Sequence, residues 1–451
     1  MNWTSEYSGW GRNQTMRHRL ALPGSMTELI ALVGAGSNAP FLAHGCGRSY
    51  GDVALNPGGL LIDCRGLDRF IAFDPETGHL VCEAGVRLAD ILRVICRPDQ
   101  DGAGFFLPVS PGTRFISVGG AIANDVHGKN HHVFGSFGNH VESFVLLRSS
   151  GEILRCSESE NAELYAATIG GLGLTGIILQ ATLKLRRVDG LAFEAEDIAF
   201  GSLDDYFQLA VQSDLAWEYT AAWIDCFAKG ADIGRGIFSR SRHVAGVGAP
   251  PPPLQPRISI PWTPPISVVN RVSTRAFNAL YRRKLGKLGK RTSTGSYEQA
   301  LYPLDGLGNW NRLYGRDGFF QFQNVIPRGC ALEVVRAMLR EVVAAGAGSM
   351  LSVLKVFGAL PSRGLLSFPM EGVTFALDFP NDGSQTVRLI ERLEAITIES
   401  NGRIYPAKDS LMSRQAFWQG YPFAGRFQDS MDPAISSEFA IRVGLAVGRR
   451  R

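Results

Sequence analysis

An α+β fold is predicted by three features of the 451-residue sequence. Before residue 180, short β-like runs are separated by glycine-rich turns, which is typical of closely connected strands. Helical stretches lie between these runs, but they do not alternate with them in the long regular units of a doubly wound sheet. From Gly318 onwards, three further β-like runs and a helical stretch predict an antiparallel sheet backed by helices.

The elements of the first 190 residues are predicted from local signals. Ser25 is a good N-cap residue, and the apolar spacing that follows predicts a helix over 25–34. Helical spacing also predicts helices over 86–95 and 161–171. Strands are predicted in GGLLIDC, HLVCEAGV, FLPVSPGT, SFVLLRSSGEIL and GIILQATLKL.

A second region begins near Leu191 and contains a proline-rich segment followed by a basic one. Eight prolines lie between residues 248 and 265, where the missing amide donors predict an irregular or extended chain. Residues 271–291 then carry eight basic side chains and no acidic one. We expect 245–297 to form a long mobile excursion. Its basic run suits a polyanion or an anionic membrane surface, or else a solvated face without a partner.

Composition excludes several classes of protein. The chain is 45% hydrophobic and 20% charged, which excludes a mainly disordered protein. No uninterrupted apolar stretch is long enough for a membrane span, and the polar N-terminus has no apolar signal core. The net charge of +4 is too small to indicate nucleic-acid binding. Seven scattered cysteines without a C-x-x-C motif predict a cytoplasmic protein with no disulfide framework and no structural zinc.

Two glycine-rich segments are candidate sites for a pyrophosphate. Residues 43–52 read AHGCGRSYGD, and residues 111–132 read PGTRFISVGGAIANDVHGKNHH. Glycines let a backbone approach a ligand closely and present N–H groups to phosphate oxygens. The motif GLGLTG at 171–176 resembles a dinucleotide fingerprint, but its helix precedes it and its strand follows it. That order is the reverse of a Rossmann site.

Polar clusters in two segments could carry chemistry. His127, His131 and His132 lack an accompanying carboxylate or cysteine pattern, and Lys129 would repel a cation, so we expect no metal site. Near the C-terminus, a predicted helix is followed by GRIYPAKDS at 402–410, which places a tyrosine, a lysine and an aspartate close together.

The sequence resembles the FAD-dependent oxidoreductases of the vanillyl-alcohol-oxidase superfamily. Within it, the likeness is greatest to the branch that oxidises polyprenyl-phosphoryl ribose, and it runs from Gly9 to about Pro433. Its most specific motifs are GRSYGD, PGTRFISVGGAIANDVHGKNHH, GSFGNHV, GGLGLTGII, PLDGLGNWNRLYG, LSFP and YPAKDS.

The resemblance implies a two-domain fold and a set of cofactor contacts. Residues 1–190 plus 403–451 would form the FAD-binding (PCMH-type) domain, and 191–402 an antiparallel-sheet substrate domain. The FAD-binding positions carried over are Gly45, Gly47, Arg48, Ser49, Tyr50, Gly51, Gly112, Ser117, Gly119, Gly120, Asn124, Asp125, His127, Ile178 and Tyr405.

The resemblance also bears on cofactor attachment and on the pocket. Many relatives tether FAD through a histidine at the place of Arg48, and arginine cannot form that bond, so non-covalent FAD is expected. Members of the branch carry a cysteine where this chain has Ala376. The implied substrate-binding residues are Lys129, Trp223, Gln323, Lys355, Phe357 and Ala376.

The implied reaction is oxidation of the 2′-hydroxyl of a polyprenyl-phosphoryl-β-D-ribofuranose to a 2′-keto sugar, with hydride passing to the flavin. Lys408 would lie near the developing alkoxide, with His127 and Tyr405 beside it. A short-chain reductase would then complete epimerisation to an arabinose donor for cell-envelope polysaccharide. Such a protein would be peripheral at the inner face of the cell membrane.

Two alternatives stay open at the level of the sequence. One is an FAD-dependent oxidase of a free alditol or aldonolactone, which would have no need of the basic run. The other is a non-catalytic protein that binds a membrane or polyanion through that run, which would leave the glycine loops and YPAKDS unexplained.

Overall fold

The structure is a computed structural model that describes residues 3–4, 7–36, 40–251, 253–283, 285 and 289–446. Its strands in the first part of the chain are β1 (Trp3–Thr4), β2 (His18–Ala21), β3 (Phe41–His44), β4 (Leu60–Asp63), β5 (Phe70–Phe73), β6 (His79–Glu83), β7 (Gly104–Phe106), β8 (Val141–Leu147), β9 (Ile153–Ser157), β10 (Ile177–Lys184) and β11 (Arg186–Val188). The helices there are α1 (Met26–Gly34), α2 (Leu88–Val94), α3 (Val118–Ala123), α4 (His131–Phe134) and α5 (Ala162–Thr168).

These strands form two main sheets. One has the order β1-β2-β4-β3, in which β4 runs parallel to both of its neighbours. The other is antiparallel in the order β5-β6-β10-β8-β9, and β7 pairs separately with β11. The loop that leaves β3 and the segment that leads into α3 are the two glycine-rich segments, so this part of the fold presents both of them.

A large antiparallel sheet dominates the rest of the chain. Its strands are β12 (Ala192–Phe200), β13 (Tyr219–Ile224), β14 (Gly236–His243), β16 (Lys290–Ser296), β18 (Phe319–Ile326), β19 (Ser352–Phe357), β20 (Gly372–Pro380) and β21 (Arg403–Ile404). They lie in the order β16-β12-β14-β13-β19-β20-β18-β21. A short parallel pair joins β15 (Ile258–Ser259) to β17 (Leu307–Gly308).

The remaining helices pack around this sheet and at the C-terminus. They are α6 (Leu203–Ser213), α7 (Arg271–Arg283), α8 (Tyr297–Leu301), α9 (Ala331–Ala344), α10 (Ser384–Glu399), α11 (Arg414–Gly420), α12 (Ala424–Ser430) and α13 (Glu438–Arg442). No helix in the described ranges has the length and apolar character needed to cross a bilayer.

The two faces of the large sheet differ in chemistry, because side chains alternate along each strand. One face is apolar: Phe322 of β18 and Phe375 of β20 are buried in a core that includes Tyr206 of α6, Val335 of α9 and Leu389 of α10. The opposite face carries polar side chains from the same strands, namely Gln321, Gln323, Lys355, Thr374 and Asp378. This polar face is turned towards the glycine-rich segments and YPAKDS.

Most predicted elements are confirmed, with one error among the strands. α1 begins after Ser25, whose hydroxyl accepts a hydrogen bond from the Glu28 amide at 3.2 Å. The helix α5 precedes the GLGLTG motif and β10 follows it, as the sequence indicated. The strand predicted in FLPVSPGT is wrong: β7 ends at Phe106, because Pro108 and Pro111 lack the amide donors a strand needs.

Residues 245–297 contain more regular structure than a mobile excursion suggests. Within the basic run, Arg271–Arg283 form α7 and Lys290 begins β16, which pairs with β12 along seven residues from Lys290 to Ser296. Residues 284 and 286–288 of the run lie outside the described residues. The division of the chain into 1–190 plus 403–451 and 191–402 stays a prediction. The C-terminal segment contacts both parts, since β21 pairs with β18 and α13 contacts Asp52.

Candidate active site

The first glycine loop is held between the N-terminal segment and the YPAKDS motif. The Tyr50 amide donates a hydrogen bond to the Ala407 carbonyl at 2.9 Å. A Cβ at Gly51 would lie 1.9 Å from the Asp409 carbonyl oxygen, and one at Gly9 would lie 2.4 Å from the Gly51 carbonyl oxygen. Only glycine allows these approaches, so this packing fixes the loop beside Lys408.

The two glycine-rich segments lie against each other. A Cβ at Gly45 would meet the Ser117 hydroxyl at 2.5 Å, so the two backbones are brought close at this point. Ser117 caps α3 by accepting a hydrogen bond from the Gly120 amide at 3.3 Å. A side chain at Gly112 would meet no atom within 4 Å, which leaves open space beside the loop. This arrangement fits a cradle for the phosphates of FAD.

The end of α3 offers further contacts to a cofactor. Asn124 has a buried side-chain oxygen without a hydrogen-bond partner among the described residues. Tyr405 donates a hydrogen bond to the Asn124 carbonyl at 2.9 Å, and its ring stacks on Phe368 at 4.4 Å. The Asn124 side-chain oxygen is thus a buried hydrogen-bond acceptor without a described partner, next to an ordered aromatic ring. This arrangement fits a site that a polar ligand completes.

Two predicted cofactor residues are occupied by protein contacts. The buried Asp125 carboxylate accepts hydrogen bonds from the Ser136 hydroxyl at 2.9 Å and the Gly138 amide at 2.8 Å, and it also accepts one from Ser367. The Asp125 side chain therefore stabilises the turn at residues 136–138. Arg48 donates to the Phe115 carbonyl at 3.4 Å, with its guanidinium 4.0 Å from the Trp10 ring.

His127 lies at the centre of the candidate substrate site. Its Nε2 is 3.0 Å from Gln323 Nε2, and its Nδ1 is 3.3 Å from Lys355 Nζ. The rings of Phe357 and Tyr405 lie 4.7 Å and 5.6 Å from its own. The structure thus brings together five residues that the sequence placed around the reacting centre.

Hydrogen bonding around His127 determines where its proton lies. Burial, followed by the charge of Lys355, holds the pKa of His127 well below its usual range, so the ring is neutral. Gln323 Nε2 also donates to the Thr374 hydroxyl at 3.1 Å. With this amide assignment the imidazole Nε2 accepts, and Nδ1 carries the proton that it donates to Lys355 Nζ.

That donation requires Lys355 to be a neutral amine. Burial lowers the pKa of Lys355 to about 7, and the neighbouring charges of Lys129 and Lys408 contribute to the same shift. A neutral amine beside a neutral imidazole can accept a proton near physiological pH. Lys355 is therefore a candidate base, which the sequence alone did not indicate.

Lys408 approaches the same site from the other side. Its Nζ lies 3.8 Å from the centre of the Tyr50 ring, a cation–π contact. Burial lowers the pKa of Lys408, and the charge of Asp378 partly offsets that effect. Asp378 is itself buried, and burial raises the pKa of its carboxyl group. Asp378 Oδ2 has no hydrogen-bond partner among the described residues.

The polar face of the sheet forms the wall opposite the glycine loops. Strand register places Trp223, Val353, Ala376 and Gln323 in one row across four neighbouring strands. Trp223 donates its indole N–H to the Met350 carbonyl at 3.1 Å and packs on Tyr281 of α7. Ala376 thus contributes a small apolar surface to the middle of this wall.

Lys129 and Ile178 form their own contacts away from the His127 ring. Lys129 donates to the Ala300 carbonyl at 2.5 Å, and burial lowers its pKa to about 8. Ile178 is buried in β10. No group of three or more histidine, cysteine or acidic side chains in the described ranges is arranged to hold a metal ion.

Sequence reasoning missed Gln321, Thr374 and Asp378. The alternation of each strand contained the signal, since Thr374 and Asp378 share the parity of Ala376 in GVTFALDFP. It also missed Arg442, which donates to both carboxylate oxygens of Asp52 at 2.8 Å and to Asp409 at 2.8 Å. Arg442 thereby ties GRSYGD to YPAKDS.

Comparison with known proteins places this site in a family. Residues 18–157 match the model of an FAD binding domain. The chain is 35% identical to decaprenylphosphoryl-beta-D-ribose oxidase of Mycolicibacterium smegmatis, in an alignment that covers 98% of each chain. The chain belongs to the decaprenylphosphoryl-beta-D-ribose oxidase family. It is an FAD-dependent oxidoreductase, as the resemblance implied.

Other relatives show how far the likeness to different enzymes extends. An uncharacterized protein of Streptomyces coelicolor is 31% identical over 76% of this chain and 96% of its own length. L-gulonolactone oxidase of Mus musculus is 30% identical, but over only 41% of this chain. Likeness to the lactone oxidase therefore stops well short of the end-to-end match that this family gives.

Proposed function

We propose that the chain oxidises the 2′-hydroxyl of a polyprenyl-phosphoryl-β-D-ribofuranose to the 2′-keto sugar. The observation that carries the proposal is the end-to-end similarity to an oxidase of decaprenylphosphoryl ribose. The site geometry agrees with it, because a buried, cationic pocket suits a phosphorylated sugar. Lys129 and Lys408 are near enough to Lys355 for their charges to lower its pKa. Asp378 is the carboxylate whose charge acts on Lys408.

FAD, when bound, supplies an acceptor for the two electrons and the hydrogen that leave the alcohol carbon. The chain would hold it non-covalently through the paired loops at Gly45 and Ser117, with Tyr405 and Asn124 as further contacts. The polar face of the large sheet would orient the sugar against this cradle, because a hydride moves only over a short, well-aligned distance.

The hydroxyl oxygen would lie between Lys408 and the pair formed by His127 and Lys355. Lys408, held over the Tyr50 ring, would stabilise negative charge that develops on this oxygen. Lys355 would accept the hydroxyl proton, since its pKa of about 7 leaves a large neutral fraction at physiological pH. In the resting site His127 would hold Lys355 through its Nδ1–H, and Gln323 would hold the opposite side of the imidazole ring. Because a neutral amine has a single lone pair, Lys355 Nζ would give up the bond from Nδ1–H as it accepts the hydroxyl proton.

The wider setting follows from this substrate. A short-chain reductase would return the ketone with inverted stereochemistry, giving an arabinose donor for cell-envelope polysaccharide. Because the substrate carries a polyprenyl chain, we place the protein at the inner face of the cell membrane as a peripheral protein. The exposed basic side chains of α7 support that placement.

The test is an anaerobic absorption spectrum of the purified holoprotein. Adding a short-chain polyprenyl-phosphoryl-β-D-ribofuranose should bleach the visible absorption of the oxidised flavin, on the order of one equivalent per flavin. The matched control is the corresponding arabinofuranose, whose 2′-hydroxyl has the opposite configuration. Bleaching by L-gulonolactone but not by the ribose compound would support a lactone oxidase instead.

A further inference from the structure

An arginine-lined cavity adjoins the first glycine loop, since Gly9, Trp10 and Gly47 are among its lining residues. It has a volume of about 380 Å³ and opens between the N-terminal segment and residues 309–316. Its lining includes Arg12, Arg312 and Arg316 together with Asn309 and Asn311, and it contains no acidic side chain. Such a concentration of guanidinium groups is suited to the oxygens of a phosphate.

The positive charge in this cavity is not neutralised by the protein. Arg12 donates to the Thr263 hydroxyl at 2.7 Å, and Arg312 donates to the carbonyls of Ile260 and Pro261 at 2.8 and 2.7 Å. These acceptors are neutral, and none of the described carboxylates forms an ion pair with Arg12, Arg312 or Arg316. Burial and the charge of Arg312 both lower the pKa of Arg12, as expected for facing cations without an anion.

The segment that holds these arginines is bordered by exposed apolar side chains. Eighteen large apolar side chains are exposed in the described ranges, and eight of them fall between Leu254 and Leu280. That group includes Trp262, which is 64% exposed. Residues 260–263 supply the acceptors for the cavity arginines, so the apolar surface and the cavity adjoin each other.

The helix α7 turns an apolar stripe outwards. Thr274, Asn278 and Tyr281 face the protein, where Asn278 donates to Asp225 at 3.2 Å and Tyr281 packs on Trp223. Val272 and Leu280, by contrast, are 78% and 68% exposed. A helix that buries polar residues and exposes apolar ones between arginines is typical of a membrane interface.

The charge of the whole segment agrees with an anionic surface. From Val244 to Tyr297 the sequence has nine lysines and arginines and no acidic residue. Arg271, Arg275, Arg282 and Arg283 of α7 form no ion pair with a described carboxylate. Lipid phosphates are the anions that lie next to an apolar phase.

We propose that the arginine-lined cavity binds the phosphate group of an anionic membrane lipid, while the apolar side chains from Leu254 to Leu280 enter the bilayer. The inference rests on the proposed function and deepens it, because it specifies which surface of an enzyme that oxidises a lipid-linked sugar contacts the membrane. It also places the face of α7 that contacts Trp223 between the bilayer and the polar face of the large sheet. The polyprenyl chain can then remain in the membrane during the reaction.

The first test measures co-sedimentation of the holoprotein with vesicles of phosphatidylcholine, with and without phosphatidylglycerol. The variant Arg312→Gln/Arg316→Gln should bind the anionic vesicles about tenfold more weakly than the parent. The control Arg340→Gln/Arg388→Gln removes the same charge from α9 and α10 on the opposite side of the sheet, and it should bind like the parent. Equal binding by the two double variants would overturn the phosphate site.

The second test concerns the apolar side chains. Trp262→Ser/Val272→Ser/Leu280→Ser should lower vesicle binding even at high salt, because apolar insertion is not screened. Val211→Ser/Leu215→Ser changes two other highly exposed apolar side chains, on and after α6, and it should have no effect. Equal binding by these two variants would contradict insertion.

Two further measurements distinguish a lipid phosphate from the phosphates of the cofactor and from free inorganic phosphate. Flavin absorbance per protein should be unchanged in Arg312→Gln/Arg316→Gln; its loss would assign the cavity to the cofactor, whose predicted loop contributes Gly47 to the lining. Calorimetric titration with inorganic phosphate should show binding far weaker than that to anionic vesicles. Equally tight binding would make free phosphate the ligand. None of these measurements needs substrate, so they remain valid if the proposed reaction fails.

Discussion

Lys408 occupies a position where one positive charge controls the proposed chemistry. It lies over Tyr50, and the loop that carries it is packed against Gly51. We expect Lys408→Ala to retain flavin but to slow substrate-dependent flavin reduction by about 10²–10³-fold, the usual cost of removing a preorganised partner of a developing oxyanion. Stopped-flow absorbance measures the rate. The exposed Lys290→Ala is the control, and a Lys408→Ala rate within about threefold of the parent would make Lys408 structural.

The pH dependence of the reaction tests Lys355. Since burial lowers its pKa to about 7, its neutral form becomes the majority as pH rises through that value. If Lys355 accepts the hydroxyl proton, the rate of flavin reduction should rise from about pH 6 as Lys355 loses its proton. It should fall again above about pH 8, because burial lowers the pKa of Lys408 to about 8 and its positive charge is then lost. Lys355→Arg should abolish the rise, because a guanidinium stays protonated throughout. A parent profile that is flat across this range would exclude Lys355 as the base.

Arg48 allows a direct test of flavin attachment. An arginine cannot form the histidyl–flavin bond, and its guanidinium is already placed on Trp10. Acid precipitation should therefore release the yellow flavin into the supernatant. Fluorescence that stays with the protein band on a denaturing gel would show a covalent bond.

Individual residues differ in how well the sequence predicted them. Motif residues such as His127, Gln323 and Lys408 were found because resemblance marked them, and the structure brings them together. Asp378 and Arg442 were missed for a physical reason: their importance depends on partners far along the chain. Arg442 pairs with Asp52, 390 residues away, and no local pattern reports such a contact.

Among the elements, the strands of the large sheet could be located from the sequence, but the role of their polar side chains in the site could not. Strand-like runs identified β18, β19 and β20, and successive residues of a strand alternate between the two faces of the sheet. The same alternation also contains the polar face, in Gln321 and Gln323 for example, yet exposure to solvent and exposure to a pocket look alike in a sequence. Only the pairing of strands shows that these polar side chains meet His127.

The helix α13 supplies the ion pairs that hold two motifs together, and this can be tested through stability. Arg442→Met would leave Asp52 and Asp409 buried without their charge partner. We expect the free energy of unfolding of the holoprotein to fall by about 3–5 kcal/mol, as for other broken buried pairs. Arg426→Met breaks the exposed pair with Glu163 and should cost at most about 1 kcal/mol. Similar losses for the two variants, measured by denaturant titration, would contradict this role.

For the whole molecule, the basic run predicts how lipid length affects catalysis. Replacing Arg282, Arg283, Lys284 and Lys287 with glutamine should raise the apparent KM for a long-chain substrate in anionic vesicles, because each cation contributes about 1 kcal/mol near such a surface. Turnover of a short, soluble analogue should be nearly unchanged. Lys284 and Lys287 lie outside the described residues. An unchanged KM for both substrates would indicate a solvated face without a partner.

The overall architecture was predicted better than the contacts between segments that lie far apart in the sequence. Fold class followed from turn-rich strands and from the resemblance, and the antiparallel sheet is confirmed. The segment 245–297 was harder to predict, because its prolines and positive charges are typical of an irregular, solvated chain. The helix α7 and the strand β16 are regular because they contact residues far away in the sequence. The pairing of β16 with β12 connects chain positions almost one hundred residues apart.

The contact between Gly51 and YPAKDS has a consequence for how the protein is made. A ribosome adds roughly 5–20 residues per second, so the first glycine loop waits on the order of tens of seconds for the segment that packs on it. Until Arg442 emerges, Asp52 has no counter-ion from α13. Capture of the flavin is therefore expected late in biosynthesis, and a chain that ends before YPAKDS, without its last fifty residues, should fail to keep the cofactor.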